Sequence, residues 1–524
     1  MGIGLALLVS GLVGFLALSY EILLFRVYGF LTGGTSSSFG IVLGSYLLGI
    51  AFGSLGARFA CDERPAHAAP ERLVLPAWLV LLATLGAWIL IPGVADVVCN
   101  HSFAWTLPAV GVVAGLMGAV LPLVAHFGIP ADERTGERLS WIYLANIVGS
   151  TTGSLTTGFV LMQYLTTARI ALVLALGGLG VAGLLVLCAG QSVRRRTAWV
   201  LSLGALAGGL VWATPRAYDM LYEKLLYKSL WHFWPDARFA ETVENRSGVI
   251  NVDAPGKVFG SGVYDGVFST DPLVDKNGIV RAYAIAAMRP SLPEVLMIGL
   301  SSGSWAQVVA SNPAVGHLTV IEINPGYTEI DKRHANVQSI FDNPKVTVIY
   351  DDGRRWLLGH PERKFDFVAS NTTFNWRGYA TNLLSGEFLE LVKEHLTPAG
   401  VLFFNTTASL PVQKTACTHF AHGFRLQNAI AVSEAPLGLD AGLWRERLEA
   451  YRIDGKLIFD PGEAAQTRRL DDIVALAAEP KPGDSTGEVE SCASILARSR
   501  DEPLVTDDNM VTEWVRPWDA VFPH

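Results

Sequence analysis

Residues 294–324, EVLMIGLSSGSWAQVVASNPAVGHLTVIEIN, carry the residue types and spacing that point most directly to chemistry. The apolar run Val295, Leu296, Met297 and Ile298 predicts a buried parallel strand. Gly299, Ser301, Ser302 and Gly303 follow as a turn of small residues. Such a turn lets a ligand approach the backbone at the start of a helix. A second predicted strand, 318–321, ends in Glu322. A carboxylate about 20 residues after the glycine turn can accept hydrogen bonds from ribose hydroxyls. This is the layout of an adenosine-binding βαβ unit. The glycine spacing alone does not separate it from an ordinary strand, turn and helix, because Ser301 stands where G-x-G-x-x-G has its second glycine. The acid at the end of the second strand carries the distinction, since ligands lie beyond strand C-termini in open α/β sheets.

The elements that must position these residues follow from the same pattern. Short strands and turns are predicted over 241–267, including Tyr264, Asp265 and Gly266, and then a helix near 278–288. After the βαβ unit, a strand over 345–350 ends in Asp351 and Asp352, and one over 365–369 ends in Ser370 and Asn371. A helix near 385–395 and a strand over 400–405 come next. Four successive strands thus end in polar residues, and in a parallel sheet such ends converge on one crevice.

Composition divides the chain in two. Its 524 residues have room for two or three domains, and a mean hydropathy of +0.34 with 17% charged residues is too apolar for an ordinary soluble protein. There is no lysine before Lys224. Stretches long and apolar enough to span a bilayer lie near 3–25, 37–60, 73–92, 103–128, 139–163, 168–190 and 197–214, which predicts about seven spans. Small residues recur at i, i+4 within them, as in Gly49 and Gly53 or Gly149 and Gly153, a spacing that lets helices approach closely in lipid. Glu21, Arg26, His126 and Asn146 are polar within the apolar runs, with Glu21 and the nearby Arg26 read as lying at an interface. The stretch 218–234 is aromatic and amphipathic, like an interfacial helix. The predicted organisation is a transmembrane helical domain over 1–215, an interfacial linker over 216–240, a small β subdomain over 241–290 and a Rossmann-like domain over 291–524.

Arg58, Arg64, Arg72, Arg134, Arg138 and Arg194 to Arg196 fall in alternate loops, which marks that side as cytoplasmic. With seven spans, the soluble half would then face away from the cytosol, whereas an adenosine-sulfonium ligand is made inside it. The reading adopted is an inner-membrane protein with a cytoplasmic soluble half, against the arginine distribution. A net charge of −8 without a Lys/Arg stripe excludes nucleic acid. Cys61, Cys99, Cys188, Cys417 and Cys492 have no metal-ligand spacing and read as buried or free thiols, with a Cys417–Cys492 disulfide as the lesser alternative. Cys417, His419 and His422 match no common zinc site, so no metal is expected.

The order of these stretches resembles the spermidine/spermine synthase family in its membrane-fused form. The matching residues are Tyr264-Asp265-Gly266, Ile298-Gly299-x-x-x-Gly303, Val320-Ile321-Glu322-Ile323-Asn324, Asp352-Gly353, Lys364-Phe365-Asp366-Phe367, Leu384-Ser385-x-Glu387-Phe388 and Thr397-Pro398-x-Gly400. Late in the chain comes Leu504-Val505-Thr506-Asp507-Asp508-Asn509. The helical half matches through Gly14-Phe15-x-x-Leu18-x-Tyr20-Glu21, Gly118-x-x-Leu121-Pro122 and Tyr143-x-x-Asn146-x-x-Gly149. The resemblance implies a helical bundle, a small β-hairpin subdomain and a Rossmann-like methyltransferase-type domain, paired as a homodimer. It implies S-adenosylmethionine or its decarboxylated form as substrate. Gly299, Ser301 and Gly303 would flank its sulfonium or amino-acid end, Glu322 would hold the ribose and Asp352 the adenine amine, with Asn324 and Asp351 also in the cofactor-binding set.

Departures from the family pattern bear on the reaction. Where the family has D-[ST]-[ST]-D, this chain has Asn371-Thr372-Thr373-Phe374, and an amide is no base at neutral pH. The family's Gln after Asp-Gly becomes Ser269, and its acidic Y-H-E-type stretch becomes Val280-Arg281-Ala282-Tyr283. A diamine acceptor would lose its counter-charges and meet Arg281. The catalytic set is therefore read as Asn371, Arg281 and Tyr264. One expected reaction breaks the propyl C–S bond and releases 5′-methylthioadenosine, by transfer to an amine or by attack of the substrate's own carboxylate. The alternatives are a methyltransferase on a membrane-proximal substrate, and a non-catalytic nucleoside sensor or transporter. Trp376 and Tyr379 could wall the site.

Overall fold

The computed structural model describes residues 2–61, 73–235, 237–371, 374–477 and 487–514. Arg64, Arg72, Thr372 and Thr373 lie outside the described residues. The chain divides into two compact units, Met1–Arg238 with Glu244–Val249, and Phe239–Val243 with Ile250–Pro517.

The first unit is helical: α1 (Ile3–Leu31), α2 (Ser36–Ala57), α3 (Val74–Val98), α4 (Leu107–Gly118), α5 (Val120–Gly128), α6 (Thr135–Leu155), α7 (Met162–Tyr164), α8 (Thr167–Cys188), α9 (Val193–Ala217) and α10 (Leu221–Tyr227). Among the described residues, six helical stretches are long and apolar enough to cross a membrane: Ile3–Leu31, Ser36–Ala60, Val74–Val98, Phe103–Gly128, Thr167–Cys188 and Val193–Ala217. The seventh predicted span is corrected. Residues 139–163 are helical, but Asn146 and a run of Ser, Thr and Gly leave them short of that apolarity, and the helix passes into a π segment over Thr156–Leu161. This helix packs on α1, where a Cβ at Gly149 would strike the Gly11 carbonyl and one at Gly153 the Phe15 carbonyl. In the same way Gly49 and Gly53 of α2 meet the Gly111 and Gly115 carbonyls of α4. Small residues are required at these four positions because backbone touches backbone. Gly40, Gly44, Gly56 and Gly158 have open space instead.

Arg26 lies 3.8 Å from Glu244 and donates to the Asn245 carbonyl. Glu244 further accepts from Thr167 N and from Tyr222 Oη, each at 2.7 Å. The predicted interfacial stretch forms α10 and a 3-10 turn, Lys228–Phe233.

The second unit begins with a four-stranded sheet, β1 (Phe239–Asn245), β2 (Gly248–Asp253), β3 (Lys257–Gly260) and β4 (Val263–Val267), in that order. The main sheet follows. Its elements are α11 (Val280–Met288), β5 (Leu292–Ile298), α12 (Ser304–Ser311), β6 (Val315–Glu322), α13 (Gly326–Asp331), β7 (Val346–Tyr350), α14 (Gly353–Gly359), β8 (Phe365–Ser370), α15 (Gly386–Glu394), β9 (Leu396–Asn405), α16 (Leu410–His419), β10 (His422–Leu426) and β11 (Ala429–Ser433). They continue through α17 (Ala441–Ala450), the short pair β12 (Arg452–Ile453) and β13 (Lys456–Leu457), α18 (Ala464–Ala475), β14 (Val489–Ser491) and α19 (Cys492–Arg498). The eight strands lie in the order β14-β10-β11-β9-β8-β5-β6-β7.

Strands β7, β6, β5, β8 and β9 are parallel. Their apolar runs are continuous because both faces are covered. Leu296, Ile298, Val368 and Leu402 enter one core, and Val295, Met297, Phe367 and Phe403 the other. The chain places β6 and β7 on one side of β5 and then returns to put β8 on the other. The reversal makes the C-terminal ends of β5 and β8 the switch point at which a crevice opens.

The thiol reading of Cys417 and Cys492 is overturned, because the two form a disulfide joining α16 to α19. Cys61, Cys99 and Cys188 remain free.

Candidate active site

The loop after β5 is built for close approach. Gly299, Ser301 and Gly303 all have positive φ, at 92°, 51° and 68°. A Cβ at Gly303 would stand 3.0 Å from Asp331 Oδ2 and 3.2 Å from Val337 Cβ, so glycine alone fits there without a shift. The loop is tied to the end of β4. Ser301 Oγ donates to the Asp265 carbonyl, and Ser304 Oγ donates to the Val267 carbonyl at 2.8 Å.

Glu322, at the end of β6, is 3% exposed, and both its oxygens face this loop. Oε2 accepts from Leu300 N and Oε1 from Asn324 N, each at 2.7 Å. Burial pushes the Glu322 carboxyl up to about 7, against the opposing pull of those N–H donors. A carboxylate has about four lone-pair sites, so with Ser301 N also bonded to it one site is left for a hydroxyl. Asn324 is buried and its Oδ1 accepts from Gly326 N at 3.0 Å, shaping the start of α13. Asp352 is the N-cap of α14, accepting from Arg355 N at 2.8 Å. Asp351 accepts from Asp352 N at 2.6 Å and from Arg355 Nε at 2.7 Å. Gly299, Ser301, Gly303, Glu322 and Asn324 therefore converge, with Asp351 and Asp352 beyond the neighbouring strand.

Sequence reasoning missed two further acids. Asp265 is half-buried and accepts from Tyr327 Oη, and desolvation raises its carboxyl. Asp331, in α13, is fully buried with no hydrogen-bond partner on either oxygen. Burial, with the Glu322 charge adding, raises its carboxyl far above the ordinary range. Its only sequence signal is an acid within an otherwise buried short helix.

The other side of the switch point has different chemistry. Asn371 follows β8, and its carbonyl lies 3.7 Å from a Cβ placed at Gly299. Asn405 Nδ2 stands 3.5 Å from Asn371 Oδ1. Thr406, next in the chain, donates through N to the Asn428 carbonyl at 2.8 Å. Asn428 in turn holds Arg281 through its side chain. Arg281 is 5% exposed and also donates to the Gly278 carbonyl at 3.0 Å and to the Asn277 carbonyl at 2.7 Å. Its guanidinium lies over the Trp305 ring at 5.4 Å, and burial brings it down to about 10. Tyr264 is partly exposed, its hydroxyl raised by burial and lowered in turn by the Arg281 charge. Asn428 and Asn405 were not predicted, because loops distant in sequence deliver them. Tyr379 is 77% exposed. Among the described residues no cluster of His, Cys, Asp and Glu could hold a metal.

A spermine/spermidine synthase domain profile matches residues 284–424. The chain is 25% identical over 403 residues to the polyamine aminopropyltransferase of Mycobacterium tuberculosis, covering 74% of each. It is 26% identical over 404 residues to polyamine aminopropyltransferase 2 of Streptomyces coelicolor, covering 74% of this chain and 70% of that one. The crystal structure of spermidine synthase in complex with the transition state analogue AdoDATO overlaps 46% of this chain and 86% of its own, at a TM-score of 0.36 and 15% identity. Residues 284–424 match the spermine/spermidine synthase domain, in a chain that is similar to the polyamine aminopropyltransferases and headed by helices apolar enough to cross a membrane.

Proposed function

We propose that this chain is a membrane-anchored alkyltransferase that binds an adenosyl sulfonium, S-adenosylmethionine or its decarboxylated form, and breaks the propyl C–S bond. The observation that carries the reading is the set of strand ends at the switch point: the positive-φ loop after β5, Glu322 after β6 and Asp352 after β7. Carboxylates in those positions suit ribose hydroxyls and an exocyclic amine. The names of the homologues favour aminopropyl transfer. In that reaction an amine nitrogen bonds to the propyl carbon, the C–S electron pair returns to sulfur, and neutral methylthioadenosine leaves. The amine's proton then needs a base.

A second reading rests on Asn371. The residue after β8 is an amide, and the side chains linked beyond it are Asn405, Asn428 and Arg281. If the substrate's own carboxylate oxygen attacks the γ-carbon, the C–S bond breaks and the products are methylthioadenosine and homoserine lactone. No proton moves, and the carboxylate and sulfonium charges cancel. The step needs only positioning, which can supply about 7–11 kcal/mol at best.

Product analysis on the detergent-purified chain tests both readings. The substrates are S-adenosylmethionine and its decarboxylated form, each with and without putrescine. Methylthioadenosine from the decarboxylated form plus amine supports transfer. Methylthioadenosine from S-adenosylmethionine alone supports the intramolecular reaction. S-adenosylhomocysteine, or no product at all, refutes the proposal.

A further inference from the structure

The two sides of the switch point carry different ionisable groups. Asp265, Glu322, Asp331, Asp351 and Asp352 all belong to the side of the β5, β6 and β7 ends. The described residues linked from Asn371 through Asn405 and Asn428 to Arg281 include no acid. Arg281 is the unusual member. It is 5% exposed, and its hydrogen bonds go to neutral acceptors, two carbonyls and an amide oxygen. The acid whose charge it feels, Asp275, is engaged elsewhere, by Val280 N at 2.9 Å and by Arg469 at 3.7 Å. Among the described residues no carboxylate forms an ion pair with Arg281. A buried charge is ordinarily matched by an opposite one, and a guanidinium presents five donors in a fork that fits a carboxylate. Its three hydrogen bonds use one donor each from Nε, Nη1 and Nη2, which leaves two of the five N–H groups for a ligand.

We propose that the β8–β9 side of the crevice is a carboxylate-binding subsite with Arg281 as its counter-charge. This rests on the adenosyl-sulfonium reading above and narrows it, because the molecule filling this half bears a carboxylate where a diamine bears a second cation. The carboxylate has two possible sources. One is the amino-acid end of the sulfonium substrate itself. The other is an amino-acid acceptor.

Calorimetric titration of the full chain in detergent separates the sources. One arm compares S-adenosylmethionine with its decarboxylated form. The other compares 4-aminobutanoate with putrescine on protein saturated with methylthioadenosine. The expected result is tenfold or tighter binding of the carboxylate-bearing partner in one arm. Arg281→Gln is expected to abolish that preference and Arg281→Lys to restore part of it. Asn371→Asp sets a negative charge beside the subsite and is expected to shift preference towards the cationic partner. A wild-type preference below tenfold in both arms overturns the proposal. So does a preference that survives Arg281→Gln, or, should that variant not fold, one that survives Asn371→Asp. Methylthioadenosine alone is the control. If it fails to bind wild type, the nucleoside reading has failed; if it binds and neither arm discriminates, only the carboxylate subsite has failed.

Discussion

Replacing Glu322 by Gln should reverse the sign of its stability effect between acid and alkaline pH. The wild-type carboxyl is buried and held up to about 7, against an ordinary 4.5. Well below pH 4.5 both the folded and the unfolded chain carry the proton, so burial costs no charge. As pH rises, the unfolded chain loses its proton first and the folded chain keeps it to about pH 7, so folded-state stability falls across that window. At about 1.4 kcal/mol per pH unit the loss amounts to about 3 kcal/mol, fully present above pH 7. The glutamine escapes this penalty and incurs another. Its single oxygen can serve only one of Leu300 N and Asn324 N, and the amide hydrogens replace the second acceptor. An unsatisfied buried donor costs about 1–3 kcal/mol. The variant should therefore be less stable than wild type at pH 4.5 and equal or better at pH 8. The swing corresponds to about 5–10 °C in Tm for a domain of this size. Asp265 and Asp331 face the same carboxyl and are themselves raised by burial, so wild-type stability alone is not diagnostic, but the difference between the two proteins is. Thermal unfolding of the detergent-solubilised chain, followed by tryptophan fluorescence at several pH values, reads it. A Tm difference that stays constant from pH 4.5 to pH 8 would refute the reasoning.

Three further outcomes follow from geometry. Gly53→Ala drives a methyl into the Gly115 carbonyl and should cost about 1–3 kcal/mol, while Gly56→Ala meets open space and should be neutral or slightly stabilising; detergent melts of the pair give the comparison. Asp507 accepts from Arg354 at 2.6 and 2.8 Å and from Ser385 Oγ at 2.6 Å, and these hydrogen bonds hold its carboxyl below the ordinary range. Asp507→Asn should then cost about 1 kcal/mol near neutral pH, a deficit that shrinks as pH falls through the depressed carboxyl, which a pH series of melts can follow. Reducing Cys417–Cys492, which spans 75 residues, should lower stability by about 4 kcal/mol on the chain-entropy account; gel shifts after alkylation, with and without reductant, report the bond and melts report the loss.

The main sheet was legible because each parallel strand is an apolar run ending in a small or polar residue. Val315–Glu322 and Phe365–Ser370 lie within a few residues of the predicted strands for that reason. The span over 139–163 was over-read. Its Ser, Thr and Gly residues pack helix against helix, and apolar length alone does not distinguish that from facing lipid. The disulfide stood only as the lesser alternative because its two cysteines are 75 residues apart, a separation that carries no local signal. Arg281 was singled out by a departure from the family pattern, but its holders come from the turn before α11 and the turn between β10 and β11, which only the folded sheet brings together. Asp331 was hidden because a buried, unpartnered acid looks in sequence like any surface acid of a helix.

The order in which the chain visits the sheet also bears on how the protein can change. Residues at the ends of β5, β6 and β7 come from one uninterrupted stretch, and those at the ends of β8 and β9 and between β10 and β11 from the next. The two stretches share the boundary between β5 and β8 and are otherwise separate in sequence and in strand position. Substitutions in side chains that do not touch have nearly additive effects. Variation confined to 371–428 can thus re-tune one half of the crevice while the positive-φ loop and Glu322 stay as they are. A fold wired in this sequence can drift in what it accepts without renegotiating what it holds.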